Sequence, residues 1–208
     1  MIFGSTGRLV DKWTHYPRAY EPHFSRFRET DVRMLEIGVY LGGSLDVWRQ
    51  YFGPAATIFG IDIDPRCGER VTPPNQVRIG SQADPDFLAA VVSEMGRPDI
   101  ILDDGSHLGT HQRTSFEVLF PLLADNGIYA IEDLHTSYWA EWSGGVKRPG
   151  TGIELVKELI DQMHGWYQID TPATLAQHWI PAIHIYDSIV LIEKRARTEP
   201  RHVQVGSG

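Results

Sequence analysis

Cysteine is nearly absent: the 208 residues contain one, Cys67. No internal disulfide can form, which suits a reducing compartment. Long apolar runs are missing as well. No stretch approaches the ~20 consecutive apolar residues that cross a bilayer, and the opening MIFGSTGRLVDKW lacks the apolar core of a secretory signal. Positive charge is scarce, with 19 Lys and Arg against 27 Asp and Glu and a formal net charge of −8. No basic block occurs that would track a nucleic-acid backbone. These absences lead to the expectation of a soluble cytoplasmic protein that engages neither nucleic acid nor membrane. Homo-oligomerisation stays open.

What is present supports a sizeable core, since 42% of residues are hydrophobic and 22% charged. Tyr20, Phe24 and Phe27 have helical spacing near the start. Apolar strand-like runs then alternate with helical ones. VRMLEIGV, ATIFGIDID, NQVRIGS, PDIILDD and IYAIEDL read as strands; SLDVWRQYF, DPDFLAAVVSEM, HQRTSFEVLFPLL and GIELVKELIDQMHGW read as helices. PAIHIYDSIVLIEKR holds two β-rich runs joined so closely that they must be antiparallel. This rhythm predicts an α/β fold: a Rossmann-like, mostly parallel seven-stranded sheet, covered on both faces, with an antiparallel last strand. The organisation expected is an N-terminal helical or lid segment over 1–30, one domain over 31–196 and a flexible tail over 197–208.

In such sheets ligands bind beyond the carboxyl ends of the strands. Acids end four of the first five strands here: Glu36, Asp62 with Asp64, Asp103 with Asp104, and Glu132 with Asp133; the third ends in Ser81-Gln82. Like charges converging on one edge repel, so a cation or a donor-rich ligand is expected among them. The first strand runs into LEIGVYLGGSLDVW. Its glycines, Gly38, Gly42 and Gly43, do not fit the G-x-G-x-x-G dinucleotide fingerprint. No lysine is present to make a P-loop. The acid two residues before Gly38 suits a cationic ligand better than a pyrophosphate.

Glu36-Ile-Gly38-Val-Tyr-Leu-Gly42 resembles the first motif of the class I S-adenosylmethionine (SAM)-dependent methyltransferases, and Asp62 stands where that family places its ribose-binding acid. With DDGSH at 103–107 and IEDLHTSYW at 131–139, the chain resembles the metal-dependent sugar O-methyltransferases of the macrolide deoxysugar and polysaccharide types, from about Asp11 to about Lys194. The resemblance implies SAM and Mg²⁺ as cofactors and makes 31–196 a methyltransferase domain. It implies cofactor contacts at Glu36, Gly38, Tyr40, Gly42, Ser44, Asp62, Gln82 and Asp103, metal ligands at Asp104, Asp133 and Glu21, and His107 as general base. The acceptor implied is a hydroxyl of a small sugar or glycoside, either a natural-product deoxysugar or a mannose-type saccharide. The length leaves no room for the extra N-terminal domain of the macrolide type, which points to a small or exposed acceptor.

The chemistry is consistent with those roles. A sugar hydroxyl is a poor nucleophile until a cation acidifies it. Carboxylates suit magnesium, and histidine suits proton removal. Other readings stay open at this level. Asp103 or Asp104 can cap the next helix. His107 and His111, four apart, share a helix face and permit zinc or a metal-dependent hydrolase. An intact fold with a dead site would bind SAM without turnover. His135 reads equally as a structural residue or a second base. The Tyr138, Trp139 and Trp142 segment reads equally as packed loop or sugar platform.

Overall fold

The computed structural model describes residues 7–206. The outermost residues of the predicted N-terminal segment and tail, 1–6 and 207–208, lie outside the described chain.

All seven predicted strands form: β1 (Arg33–Ile37), β2 (Thr57–Asp62), β3 (Gln76–Ile79), β4 (Ile100–Asp103), β5 (Ile128–Ile131), β6 (Ile183–Tyr186) and β7 (Ile189–Glu193). They make one sheet in the order β3-β2-β1-β4-β5-β7-β6, with β7 antiparallel to both neighbours and the rest parallel. The turn between β6 and β7 is two residues long, Asp187-Ser188, and Ser188 takes the positive φ of 64° that so tight a reversal demands. The order reverses between β1 and β4, which is where a ligand crevice opens in sheets of this kind.

The helices are α1 (Tyr16–Phe24), α2 (Gly43–Phe52), α3 (Cys67–Arg70), α4 (Pro85–Met95), α5 (Gly109–Leu122), α6 (Gly152–Met163) and α7 (Leu175–Trp179). Side-chain alternation along the strands sorts the core into two layers. Leu35, Ile37, Ile101, Tyr129 and Ile131 face α4, α5 and α6. Met34, Ile100, Leu102, Ile128 and Ala130 face α1 and α2, whose Tyr16, Tyr20, Phe24 and Trp48 are fully buried. Four-residue α3 and five-residue α7 are too short to show a period. Only α7 carries a cue, the capping box of Thr174 with Gln177. Among the described residues no helix is long and apolar enough to cross a membrane.

Candidate active site

The same alternation builds the site. Glu36 pairs with Leu102 and Leu102 with Ala130 across β1, β4 and β5. One residue pair further on, Asp104 and Glu132 extend the ladder, their N–H groups donating to Ile37 and Asp103 carbonyls at 2.9 Å each. Glu36, Asp104 and Glu132 therefore project from the α1/α2 face, on strands ~4.8 Å apart. Asp103, one position off in phase, is fully buried on the opposite face.

Three carboxylates in one apolar layer need a counter-charge, and the N-terminal segment supplies it. Lys12 places its Nζ 2.5 Å from Asp104 Oδ2, 2.9 Å from Glu132 Oε1 and 3.6 Å from Glu36 Oε1. Burial alone would lower the Lys12 pKa, but the three acids outweigh it and hold the ammonium charged well above the usual lysine range. Burial pushes the Asp104 and Glu132 carboxyls up; the charge of Asp133 adds to the rise of Asp104, the charge of Asp104 adds to that of Glu132, and Lys12 opposes both. Burial also brings Glu36 up to about 7, against the attraction of Lys12. From α1, Tyr20 donates to Glu132, and one turn earlier Tyr16 donates to Asp133 Oδ1 at 2.6 Å. Burial, reinforced by these acids, keeps both phenols protonated well past the ordinary tyrosine range.

Asp133 breaks out of the strand in the left-handed region, φ 53°, and swings its carboxylate to the rim. His107 does the same at φ 58°. The loops bring Asp104, His107 and Asp133 together, with one ligand-type atom from each within 4.8 Å of the others. His107 Nε2 is 3.6 Å from Asp133 Oδ2, while its Nδ1 is buried without a hydrogen-bond partner. Lys12 engages Asp104 through Oδ2 and Tyr16 engages Asp133 through Oδ1. The other oxygen of Asp133, Oδ2, is the one that approaches His107. Two half-committed carboxylates beside an imidazole fit a hard divalent cation that completes its shell with water or substrate oxygens.

Helix capping does not explain the acids. The residue before α5 is Leu108, without a side-chain cap, and it is Ser106 Oγ that accepts from the Leu108 N–H at 3.3 Å. Glu21 is not brought to the cluster. Its carboxylate accepts from Tyr51 at 2.9 Å on the far side of α1, near Arg28, because position 21 is out of phase with Tyr16 and Tyr20 on that helix. His111 turns away too, its Nδ1 bonded to Ser106 Oγ at 2.9 Å. His135 lines the rim but is held by Ser188 Oγ at 2.5 Å and stacked edge-on between Trp13 and Trp139.

The glycine loop forms the other wall. Gly38 has φ 92°, and a Cβ there would lie 2.1 Å from the Asp104 carbonyl oxygen, so the loop and the acid site can touch only through glycine. Asp62 closes the loop: Oδ2 accepts from the Val39 and Tyr40 N–H groups at 2.8 and 3.0 Å, and Oδ1 from Asp64 N–H at 2.9 Å. Burial opposes ionisation there, but these backbone bonds hold the carboxyl below its usual range. Gly42, at φ 80°, starts α2, and Ser44 donates to Glu36 at 2.8 Å. Asp62, Gly38, Tyr40 and Ser44 line a cavity of about 930 Å³ together with Asp104, His107 and Asp133, within the ~300–1,000 Å³ usual for small-molecule sites. A second cavity of about 190 Å³, with Gln82 in its wall, meets the first at Gly38, Asp62 and Gly105.

Two of the predicted cofactor contacts lie behind these walls. Glu36 is buried under the loop between Ser44 and Lys12. Asp103 anchors Gln82, whose Nε2 donates to it at 3.1 Å while its Oε1 accepts from Ser106 N–H at 2.6 Å. Burial takes the Asp103 carboxyl to about 7, against the pull of the Gln82 bond. Sequence reasoning missed Lys12 and the roles of Tyr16, Tyr20 and Glu132. The i, i+4 tyrosines and the strand phase of Glu132 were available signals, whereas nothing in sequence joins Lys12 to a site 92 residues away.

Comparison with known proteins agrees with this fold. Residues 35–134 match the family model described as a methyltransferase domain. The chain is 37% identical, over 94% of its length, to 8-demethyl-8-(2-methoxy-alpha-L-rhamnosyl)-tetracenomycin-C 3'-O-methyltransferase of Streptomyces olivaceus, of which it covers 55%. It is 38% identical, over 89% of its length, to L-olivosyl-oleandolide 3-O-methyltransferase of Streptomyces antibioticus, covering 52% of that protein. The solved structure of the methyltransferase MycE, from the mycinamycin biosynthetic pathway, in complex with Mg, SAH and mycinamycin VI superposes with a TM-score of 0.82 at 33% identity, over 90% of this chain and 50% of that one. The chain spans about half the length of the curated relatives it matches.

Proposed function

The chain carries a methyltransferase domain related to sugar O-methyltransferases, and from that premise we propose that it transfers a methyl group from SAM to a sugar hydroxyl with the help of a divalent cation, Mg²⁺ being the best fit. The observation that carries this reading is the convergence of Asp104, His107 and Asp133 on the same cavity that the Gly38–Ser44 loop lines. Loop and acids abut through Gly38, so the surface that would hold the cofactor adjoins the one that would hold the cation.

When bound, SAM supplies an electrophilic methyl group on sulfur, and the cation lowers the pKa of a coordinated hydroxyl. The chain's own residues do the rest. Asp62 orders the loop backbone and keeps lone pairs for ribose hydroxyls. Gly38 and Gly42 let the main chain approach the cofactor. Asp104 and Asp133 would each offer an oxygen to the cation, while Lys12 fixes Asp104 and Tyr16 fixes Asp133 from behind, and Tyr20 holds the neighbouring Glu132. His107 accepts the acceptor's proton at Nε2, and Asp133, 3.6 Å away, stabilises the imidazolium that results. Trp13, Trp139 and Trp142 wall the outer cavity with faces suited to a sugar ring. The acceptor class is a natural-product deoxysugar or a mannose-type saccharide. The three-part organisation, with a lid-like N-terminal segment before residue 31 and a tail after 196, belongs to the same proposal.

The test is methyl transfer from labelled SAM to a panel of glycosides, with the new methyl located by NMR. Turnover should need added Mg²⁺, and His107→Ala should lose about 10²–10⁴-fold in rate with SAH affinity little changed. Full activity in excess chelator would overturn the metal; an unchanged rate in His107→Ala would overturn the base.

A further inference from the structure

A second group of metal-type ligands lies outside the active site, where the end of α1 meets the sheet edge. His184 on β6 and Glu193 on β7 share one face, since His184 pairs with Leu191 and Glu193 lies two residues on. His184 Nε2 is 2.7 Å from Glu193 Oε1. From the last turn of α1, His23 lays its ring against that of His184, centroids 4.2 Å apart. One nitrogen from each imidazole and one carboxylate oxygen lie within 4.8 Å of one another.

We infer that His23, His184 and Glu193 form a binding site for a zinc-class transition-metal ion that ties α1 to the β6–β7 edge. Two imidazoles and one carboxylate favour zinc over magnesium, which takes oxygen donors. Ligand bonds of about 2.0–2.2 Å at tetrahedral angles hold donors further apart than the 2.7 Å of the His184–Glu193 pair, so that hydrogen bond opens around the ion while wider spacings, all within 4.8 Å, draw in, a movement of side-chain torsions at half-exposed positions. Neutral imidazole is the ligating form. Burial, with His184 adding to it, already holds the His23 pKa below its usual value. Three protein donors leave one tetrahedral position for water, and the Tyr186 hydroxyl, 3.1 Å from His23 Nε2, provides an outer hydrogen bond of the kind that orients ligating histidines. The site sits on the helix whose Tyr16 and Tyr20 hold Asp133 and Glu132. An ion there braces the back of the active site without entering it.

The experiment is zinc titration of the tag-free full chain by calorimetry, with Co²⁺ absorption as a second readout. Wild type and the Asp104→Asn, Asp133→Asn double variant should each bind one equivalent at this site, with a rise in melting temperature. His184→Gln and Glu193→Gln should weaken it by more than about 10-fold, the loss that even an outer partner can cause. Circular dichroism checks that the variants fold; if His184→Gln does not, His23→Gln takes its place. Unchanged affinity in the folded variants, absence of binding to wild type, or zinc lost on Asp104→Asn and kept on His184→Gln would each overturn the proposal. The active-site double variant keeps this outcome separate from the fate of the proposed methyl transfer.

Discussion

Asp62 and Glu132 follow the same logic up to the point where their strands end, and then part. Both are acids at the carboxyl edge of one sheet. Asp62 is satisfied by three backbone N–H groups of its own loop and of the glycine loop, none more than 23 residues away. Glu132 and its neighbours Asp104 and Asp133 are satisfied by Lys12, Tyr20 and Tyr16, from 92 to 120 residues away. The cofactor half is built from main chain and closes on itself. The acid half is built from side chains and stays incomplete until the N-terminal segment has docked. Local backbone bonds resist single substitutions; a side-chain charge network concentrates its dependence on a few atoms.

The largest expected effect falls on the acid half. Asp104→Asn and Asp133→Asn should abolish measurable methyl transfer while SAH still binds, as calorimetry on the same preparations would show; joint loss of both would erase the distinction between the halves. Lys12→Met comes next. It strands the buried Glu36 and Glu132 and the partly exposed Asp104, and removing one partner of a buried ion pair costs about 3–5 kcal/mol, read as a lower denaturant midpoint. A midpoint within error of wild type would mean that the acids hold one another without the lysine. Asp62→Ala should act on the other half, weakening SAH binding by about 1.5–3 kcal/mol, with chelator sensitivity of the remaining turnover unaltered. The smallest effect concerns Cys67, on the cofactor wall, where burial and then the charge of Asp62 push the thiol up to about 11. The thiolate is the reactive form, so alkylation of the native chain should stay slow at about pH 8, where an ordinary thiol near ~8.5 reacts. Rapid labelling at that pH, followed by mass spectrometry, would show the wall to be open.

The comparison also explains what could be read in advance. Seven strands, their acids and the glycine loop were legible, because strand phase and turn chemistry are local. Strand phase also puts Glu36, Asp104 and Glu132 on one face and Asp103 on the other, a signal left unused when Glu36 and Asp103 were expected to touch cofactor; both lie behind the walls. Glu21 was misplaced for want of helical phase: Tyr16 and Tyr20 mark the inward stripe of α1, and position 21 falls off it. Lys12 carried no local signal. Its role follows only when an extended segment crosses α2 so closely that a Cβ on Gly43 would strike the Leu9 carbonyl at 2.1 Å.

That crossing bears on where the working unit begins. The methyltransferase match opens at residue 35, in the middle of β1. A recombinant fragment trimmed to that boundary would keep the glycine loop, Asp62, Asp104, His107 and Asp133, and would look complete by motif. It would also leave the interior acids without the Lys12 ammonium and strip two phenols from the back of the cluster. The shortest fragment worth expressing starts ahead of Arg8, whose guanidinium pins the crossing segment to Asp46 at 2.7 Å.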